Sequence, residues 1–249
     1  MEKEVILNKK KNLFIKNHDY FDIIDTEIKA YLLGFFIADG YLDNKRVRIQ
    51  NSIDDLEIIE LFRKELTPDT TICYTNKQTG AKFRKTQCAT GLTSEHMIKT
   101  FKEKYDIIPN KTHNNEFKFD FNTIPIEFHR DFIRGYFDGD GSVSFHNNNF
   151  NTIFFNFSFV FNSLNFTNQI ATIFEELFQI KPVIYTIIGK TSTWFALRFD
   201  YKRRRAFKIK QIYDYLYNNS TVYLTRKKIK FEQYIEYRAN PRRKEDRVV

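Results

Sequence analysis

The stretch YLLGFFIADGY at residues 31–41 occurs a second time in this chain, since residues 132–142 read FIRGYFDGDGS in the same pattern. Superposing the two stretches pairs Gly34 with Gly135 and Asp39 with Asp140 at one constant offset. Such self-similarity is typical of a fold built from two similar units. The chain therefore reads as a tandem pair of related halves.

The segments that follow the two motifs also correspond. Helical spacing and strand alternation predict elements of the same order after each motif. After the first they lie near residues 41–51, 53–66, 70–76, 82–90 and 94–105, and after the second near 155–161, 166–179, 183–188, 193–200 and 203–217. Each half therefore reads helix, two strands, helix, two strands, helix, which is an α+β unit of the order αββαββα.

These elements define four segments of the chain. We expect a basic N-terminal arm over residues 1–20, a first half over 21–124, a second half over 125–237 and a basic tail over 238–249. Pro125 suits the first turn of the second motif helix. No glycine-serine linker separates the halves, so we expect them to be packed together.

The composition points to a polyanionic partner. The 249 residues include 40 Lys and Arg against 31 Asp and Glu, a net charge of +9, which favours nucleic acid over an acidic membrane surface. Cys73 and Cys88 lack a CxxC spacing, so neither a disulfide framework nor a zinc site is predicted. The charged N-terminus and the absence of a long apolar run predict an intracellular protein without a membrane partner.

Each motif places two small residues four positions apart, Gly34 with Ala38 and Gly135 with Gly139. Residues four apart share one helix face, and small residues let two helix backbones approach closely. We therefore expect the two motif helices to cross along these faces.

That crossing brings the acids that end the motifs together. Asp39 and Asp140 stand directly before Gly40 and Gly141, which we expect to end the helices with positive φ. A carboxylate is misplaced at a helix C-terminus, and two such carboxylates side by side are worse. A hard divalent cation would offset this, bound by both carboxylates and by the neighbouring carbonyls of Ala38 and Gly139. Carboxylates around a metal beside a basic surface indicate phosphodiester hydrolysis.

The stretches LLGFFIADG (32–40) and IRGYFDGDG (133–141) resemble the two signatures of single-chain LAGLIDADG homing endonucleases, and the similarity covers about residues 20–237. The resemblance implies a monomer with a pseudo-twofold axis between paired motif helices and two four-stranded antiparallel sheets forming a saddle over duplex DNA. It also implies site-specific double-strand cleavage with Mg²⁺ or Mn²⁺ held by Asp39 and Asp140. The position two residues earlier, Ile37 or Asp138, receives no catalytic role.

The resemblance further implies one basic residue for each acid. Segments 107–112 and 223–228 match those that deliver such a residue, and the alignment selects Lys111 and Lys227. A lysine there can orient water or offset developing negative charge. A surface lysine is the alternative reading, and Lys228 is a substitute for Lys227.

Strand alternation supplies candidates for reading DNA, because arginine and glutamine contact base edges while lysine more often contacts phosphate. These candidates are Arg46, Arg48, Gln50, Lys82, Arg84, Asn156, Ser158 and Arg198. Trp194 and most of the phenylalanines are expected in the core.

Two other functions fit the same residues. One is an RNA-binding intron maturase on the same fold, with intron RNA as partner. The other is a DNA-binding regulator that does not cleave, although such a protein would have little reason to keep two unfavourable carboxylates.

Overall fold

Two units with the same order of elements follow one another in a computed structural model that describes residues 17–76, 78–79, 82–83, 85–109, 116–147, 153–199 and 206–239. The first unit contains α1 (Glu27–Asp39), β1 (Gly40–Leu42), β2 (Val47–Ser52), α2 (Leu56–Leu66), β3 (Cys73–Thr75), β4 (Gln78–Thr79), β5 (Lys82–Phe83), β6 (Gln87–Leu92) and α3 (Glu95–Tyr105). The second contains α4 (His129–Asp140), β7 (Gly141–Asn147), β8 (Ile153–Phe161), α5 (Leu164–Phe178), β9 (Val183–Ile188), β10 (Thr193–Arg198), α6 (Ala206–Tyr217) and α7 (Thr225–Ala239).

Each unit forms one four-stranded antiparallel sheet. The strand orders are β1-β2-β6-β3 and β7-β8-β10-β9, so corresponding strands occupy corresponding places. The predicted α+β fold of two αββαββα units is confirmed. The β4–β5 hairpin and α7 are additions to it, and the sequence pattern did not predict α7 as a helix.

Three boundaries differ from those expected. Pro125 precedes a 3₁₀ turn over Ile126–Phe128, and α4 begins after that turn. Tyr20 is buried and its hydroxyl donates to Glu65 at 3.0 Å, so the core extends into the segment expected as the arm. α7 continues to Ala239, past the expected start of the tail. Among the described helices, none combines the length and the apolar character needed to span a membrane.

The two motif helices, α1 and α4, cross with their backbones in contact. A Cβ atom added to Gly34 would collide with the carbonyl oxygen of Phe132, and one added to Gly135 would collide with that of Tyr31. A Cβ atom on Gly139 would collide with the methyl group of Ala38. The two helices are too close at these points to accommodate a larger residue at Gly34, Gly135 or Gly139. As a result, α1 and α4 end beside each other.

The sheets bury one face against the helices. In β8, Phe157, Phe159 and Phe161 are almost fully buried, and the Phe159 ring lies 5.1 Å from that of Phe137 on α4. In β2, Val47 and Ile49 are buried in the same way. The predicted alternation of β8 is confirmed. The opposite side of each sheet, turned away from the helices, is called the open face below.

Polar contacts join the second unit back to the first. Arg134 on α4 is fully buried and donates to Glu27 on α1 at 2.7 Å, and the backbone N–H of Thr221 donates to the same carboxylate at 2.8 Å. Arg226 on α7 donates to Asp55, which is also buried, at 2.5 Å. The two units are therefore packed together.

Candidate functional site

The acids of the two motifs meet at the ends of the crossed helices. Asp39 and Asp140 are the last residues of α1 and α4, and both are half-buried. A Cβ atom on Gly139 would lie 3.6 Å from an oxygen of Asp39, which places that carboxylate beside the last turn of α4. Burial raises the pKa of Tyr136 well above its usual value, and the charges of Asp140 and Asp39 raise it further. Both carboxylates therefore lie close enough to Tyr136 to influence its pKa.

The glycines after the acids end the helices differently from the expectation. Gly40 has φ −70° and Gly141 has φ −80°, so both are extended and the predicted positive φ is wrong. A Cβ atom at either position would instead collide with the ring and carbonyl of the phenylalanine four residues earlier, Phe36 or Phe137. Glycine is required here for space, because the chain must turn directly from the helix into the first strand.

Asn51 on β2 is a site residue that sequence analysis missed. Its side-chain N–H donates to Asp39 at 2.8 Å, and its buried amide oxygen has no hydrogen-bond partner among the described residues. Asn51 shares the core-facing side of β2 with Ile49, so alternation gave no reason to select it. Its contact with Asp39 depends on how β2 pairs with β1.

The acid of the second unit has a different neighbour at the corresponding position. Gly40 pairs with Ile49, and Gly141 pairs with Phe159. Two residues farther along each strand, Asn51 in the first unit therefore corresponds to Phe161 in the second. The Phe161 ring stacks on Tyr136 with a centroid separation of 4.9 Å. The two halves of the site are not chemically equivalent.

Lys227 lies beneath the site, within electrostatic reach of Asp39 and Asp140. It is only 2% exposed, and its ammonium donates to the carbonyls of Phe137 and Asp138, each at 2.7 Å, and of Gly139 at 3.1 Å. These three bonds use the three donors of an ammonium and close the C-terminal end of α4. The role of Lys227 in orienting water stays a prediction.

Lys228, the expected substitute, lies over the Tyr223 ring with its nitrogen 3.9 Å from the centroid. Lys111 lies outside the described residues.

Asp138 is fully buried next to Lys227. It accepts hydrogen bonds from the hydroxyls of Tyr31 at 2.9 Å and Tyr217 at 2.8 Å and from the backbone N–H of Leu224 at 2.7 Å. Burial raises the pKa of this carboxyl, and the nearby charge of Lys227 lowers it in part. These contacts join α1, α6 and the start of α7 to the last turn of α4. These contacts give Asp138 a structural role. That Asp138 has no catalytic role stays a prediction.

Replacing Lys227 with methionine should lower the free energy of unfolding by about 2–3 kcal/mol, because buried acceptors lose their donor at similar side-chain volume. Burial lowers the pKa of Lys227 to about 8, below that of a lysine in the unfolded chain. Between pH 8 and 10, Lys227 therefore keeps its proton more often in the unfolded chain than in the folded one. The contribution of this lysine to the free energy of unfolding then increases as the pH rises.

Denaturant melts of both proteins at pH 7 and 9.5 measure this. The difference in the free energy of unfolding between wild type and Lys227→Met should be larger at pH 9.5 than at pH 7. Wild-type stability of Lys227→Met at pH 7 would show that the ammonium does not hold α4, and a difference that does not grow at pH 9.5 would show that the pKa of Lys227 is not lowered.

The expected metal ligands fit a cation unequally. Asp39 is half-buried and accepts a hydrogen bond from the Asn51 side chain at 2.8 Å, which is a neutral donor. The carbonyl of Gly139 already accepts from Lys227, and an adjacent ammonium disfavours a metal ion at that oxygen. Ala38 is buried at the crossing. The two carboxylates are therefore the better donors for a hard cation.

The open face of the first sheet is polar. Arg48 and Gln50 both lie on it, Gln50 is exposed, and a guanidinium N–H of Arg48 donates to the Gln50 side-chain oxygen at 2.8 Å. Arg46 comes before β2 and has its guanidinium 3.9 Å from Asp43. The side chain of Lys82 and the whole of Arg84 lie outside the described residues.

The open face of the second sheet carries the remaining candidates. Asn156, Ser158 and Arg198 all lie on it, and Ser158 pairs directly with Arg198. Arg198 is exposed, whereas Ser158 is only 5% exposed, because it lies on a strand flanked on both sides by others. Ser158 thus offers little surface for a base.

Trp194 is not in the core, contrary to expectation. It pairs with Ile187 on the open face and is half-buried. Together with Asp140 and Ala38 it lines a cavity of about 220 Å³. The indole therefore lies at the edge of the site between the units.

Comparison with known proteins agrees with this architecture. Residues 127–234 match the family model described as a LAGLIDADG-like domain. No curated protein matches the chain in sequence. The LAGLIDADG homing endonuclease I-GzeII, solved in complex with its DNA target, is similar with a TM-score of 0.52 at 13% identity, covering 88% of this chain and 92% of that one.

A second solved structure gives the same result. The I-LtrWI LAGLIDADG homing endonuclease, bound to target DNA, has a TM-score of 0.52 at 12% identity and covers 90% of this chain and 92% of its own. At such identity the likeness concerns the fold. The chain thus carries a LAGLIDADG-like domain in its second half and has the two-unit fold of the LAGLIDADG homing endonucleases over most of its length.

Proposed function

We propose that this protein is a site-specific endonuclease that hydrolyses both strands of duplex DNA at a long, asymmetric target. The observation that carries the proposal is the meeting of Asp39 and Asp140 at the ends of α1 and α4, where the first strand of each sheet begins. A pair of like charges at two helix C-termini opposes stability, so a chemical function accounts for it better than a structural one.

Asp39 and Asp140 are the residues that would hold a divalent cation, Mg²⁺ or Mn²⁺. Such an ion would supply an activated water and neutralise the leaving oxygen of the phosphodiester. Asn51 keeps the Asp39 carboxylate in one orientation through its 2.8 Å hydrogen bond. Lys227 and the groups around Asp138 fix the end of α4 and hence the position of Asp140.

The two units also explain how one chain could act on a long site. Each open face would contact one half of the target, with the acids between them. A single chain of this kind needs no partner subunit, so we expect a monomer. Because the open faces differ in their side chains, the two halves of the target should differ in sequence.

Binding should depend steeply on salt, because a net charge of +9 on a chain that covers a long duplex displaces many counterions. With six or more phosphate contacts, affinity should fall by about a thousandfold or more from 50 to 200 mM salt. A fluorescence anisotropy titration on a mixed-sequence duplex measures this fall. Salt-independent binding would point to a different class of partner.

Cleavage is tested by incubating the protein and Mg²⁺ with a plasmid library of duplex targets that includes the uninterrupted sequence flanking its own gene. Linear plasmid with one recurring cut position is the expected product. Tight binding without cleavage would favour a regulator. Preferential binding of the transcript that contains the gene would favour a maturase.

A further inference from the structure

The open face of the second sheet is apolar along its outer strand, β9, although Asn156, Ser158 and Arg198 also lie on that face. Alternate residues of β9, namely Val183, Tyr185 and Ile187, are 42%, 48% and 40% exposed. They pair in turn with Arg198, Ala196 and Trp194 of β10, which places all six side chains on one face.

Among its described residues, the first sheet exposes one large apolar side chain on its open face, Tyr41, which pairs with Arg48. In its corresponding outer strand, Cys73 and Thr75 occupy the same face and pair with Ala89 and Gln87 of β6. The next strand, β2, adds Arg48 and Gln50. The two open faces therefore differ in chemistry although their strands correspond.

The apolar residues are continuous with the side chains that would meet DNA. Arg198 lies in the same row as Val183, and its guanidinium lies over the Tyr185 ring, 5.0 Å from the centroid. At the other end, Trp194 borders the cavity beside Asp140. A partner that covers β9 would therefore contact the guanidinium of Arg198 at one end of the strand and lie near Asp140 at the other.

We infer that β9 and its neighbours on β10 read thymine methyl groups, so that the half of the target under the second sheet is rich in A·T pairs. In the major groove only thymine presents a methyl group, and apolar side chains recognise it by contact. The Arg48 and Gln50 pair would instead read hydrogen-bonding base edges in the other half. This inference rests on the proposed function, because it requires duplex DNA on the open faces.

The test uses the full-length protein and duplexes selected from a randomised library in Ca²⁺, under which we expect binding without hydrolysis. One half of the selected consensus should be rich in A·T pairs. The best duplex is then remade with deoxyuridine for thymidine in that half alone, which removes only the methyl groups. Affinity should fall about three- to fivefold for each contacted methyl group. The same replacement in the other half is the control and should leave affinity unchanged.

A protein variant assigns the effect to β9. Ile187→Thr, which introduces a hydroxyl into this apolar face, should narrow the difference in affinity between the thymine and uracil duplexes without abolishing it. Ile188→Thr is the matched control, because Ile188 is the next residue of the strand, 83% exposed and on the opposite face, and it should keep the preference for thymine.

Other results would overturn the inference in distinguishable ways. Unchanged affinity for the uracil duplex, or an equal loss in both halves, would overturn it and leave the proposed function intact. Failure to select any duplex would contradict the proposed function and the inference together. If wild type and Ile188→Thr sediment as dimers and Ile187→Thr sediments as a monomer, the apolar face instead binds a second copy of the chain.

Discussion

Asp39→Asn should reduce double-strand cleavage by about a thousandfold or more while DNA affinity stays the same or rises slightly, and Asp140→Asn should do likewise. Asparagine keeps the shape of aspartate, but its amide is a poorer ligand for a hard cation. Each change also removes a negative charge that would face phosphate, which accounts for equal or tighter binding.

The measurements are a gel-shift titration and a plasmid cleavage assay on the same preparations. Asp69→Asn is the control, because it removes the same charge from an exposed loop after α2 and should leave cleavage unchanged. Full double-strand cleavage by Asp39→Asn or Asp140→Asn would remove that residue from the mechanism. Unequal residual nicking by the two variants would reflect the different residues, Asn51 and Phe161, at corresponding positions of β2 and β8.

Substitution of Gly34 or Gly135 should cause the largest loss of stability. Because a Cβ atom at either position would collide with a carbonyl oxygen of the other helix, even alanine forces α1 and α4 apart. We expect alanine to lower the free energy of unfolding by about 3 kcal/mol and leucine by more. Backbone atoms cannot move aside as a flexible side chain would.

Urea melts of the alanine variants measure the loss, and they remain informative if the leucine variants fail to fold. Thr172→Leu, at an exposed position of α5, is the control and should change stability by no more than about 0.5 kcal/mol. Wild-type stability in both glycine variants would mean that the motif helices do not touch at these residues.

Features encoded locally or by repetition could be predicted from the sequence. The repeated motif gave the two units, and the alternation around Phe157 and Phe159 gave the buried face of β8. The acids followed from their place at the ends of the motifs. None of these inferences required knowing which segments touch in three dimensions.

Features that depend on contacts between distant segments could not be predicted. Lys227 was selected by alignment, but its place under α4 follows from the path of the chain after α6 and from a buried Asp138. Asn51 was missed because its face of β2 is otherwise apolar. The exposed residues of β9 are apolar except for Thr186 and lie on both faces, so only the strand pairing shows which of them share the open face.

The positive φ expected at Gly40 and Gly141 was wrong for a related reason. Sequence preferences associate a glycine after a helix with a left-handed end. Here the next residues are a strand of the sheet, and the short turn requires a small residue next to Phe36 or Phe137.

Strand-resolved cleavage of a selected duplex is the direct test of the proposed endonuclease activity. The duplex is labelled at both 5′ ends and incubated with wild-type protein in Mg²⁺ and, separately, in Ca²⁺. We predict cuts at one fixed position in each strand with Mg²⁺, and a bound but intact duplex with Ca²⁺. A duplex that stays intact with Mg²⁺, while structured intron RNA displaces it from the protein, would contradict this activity.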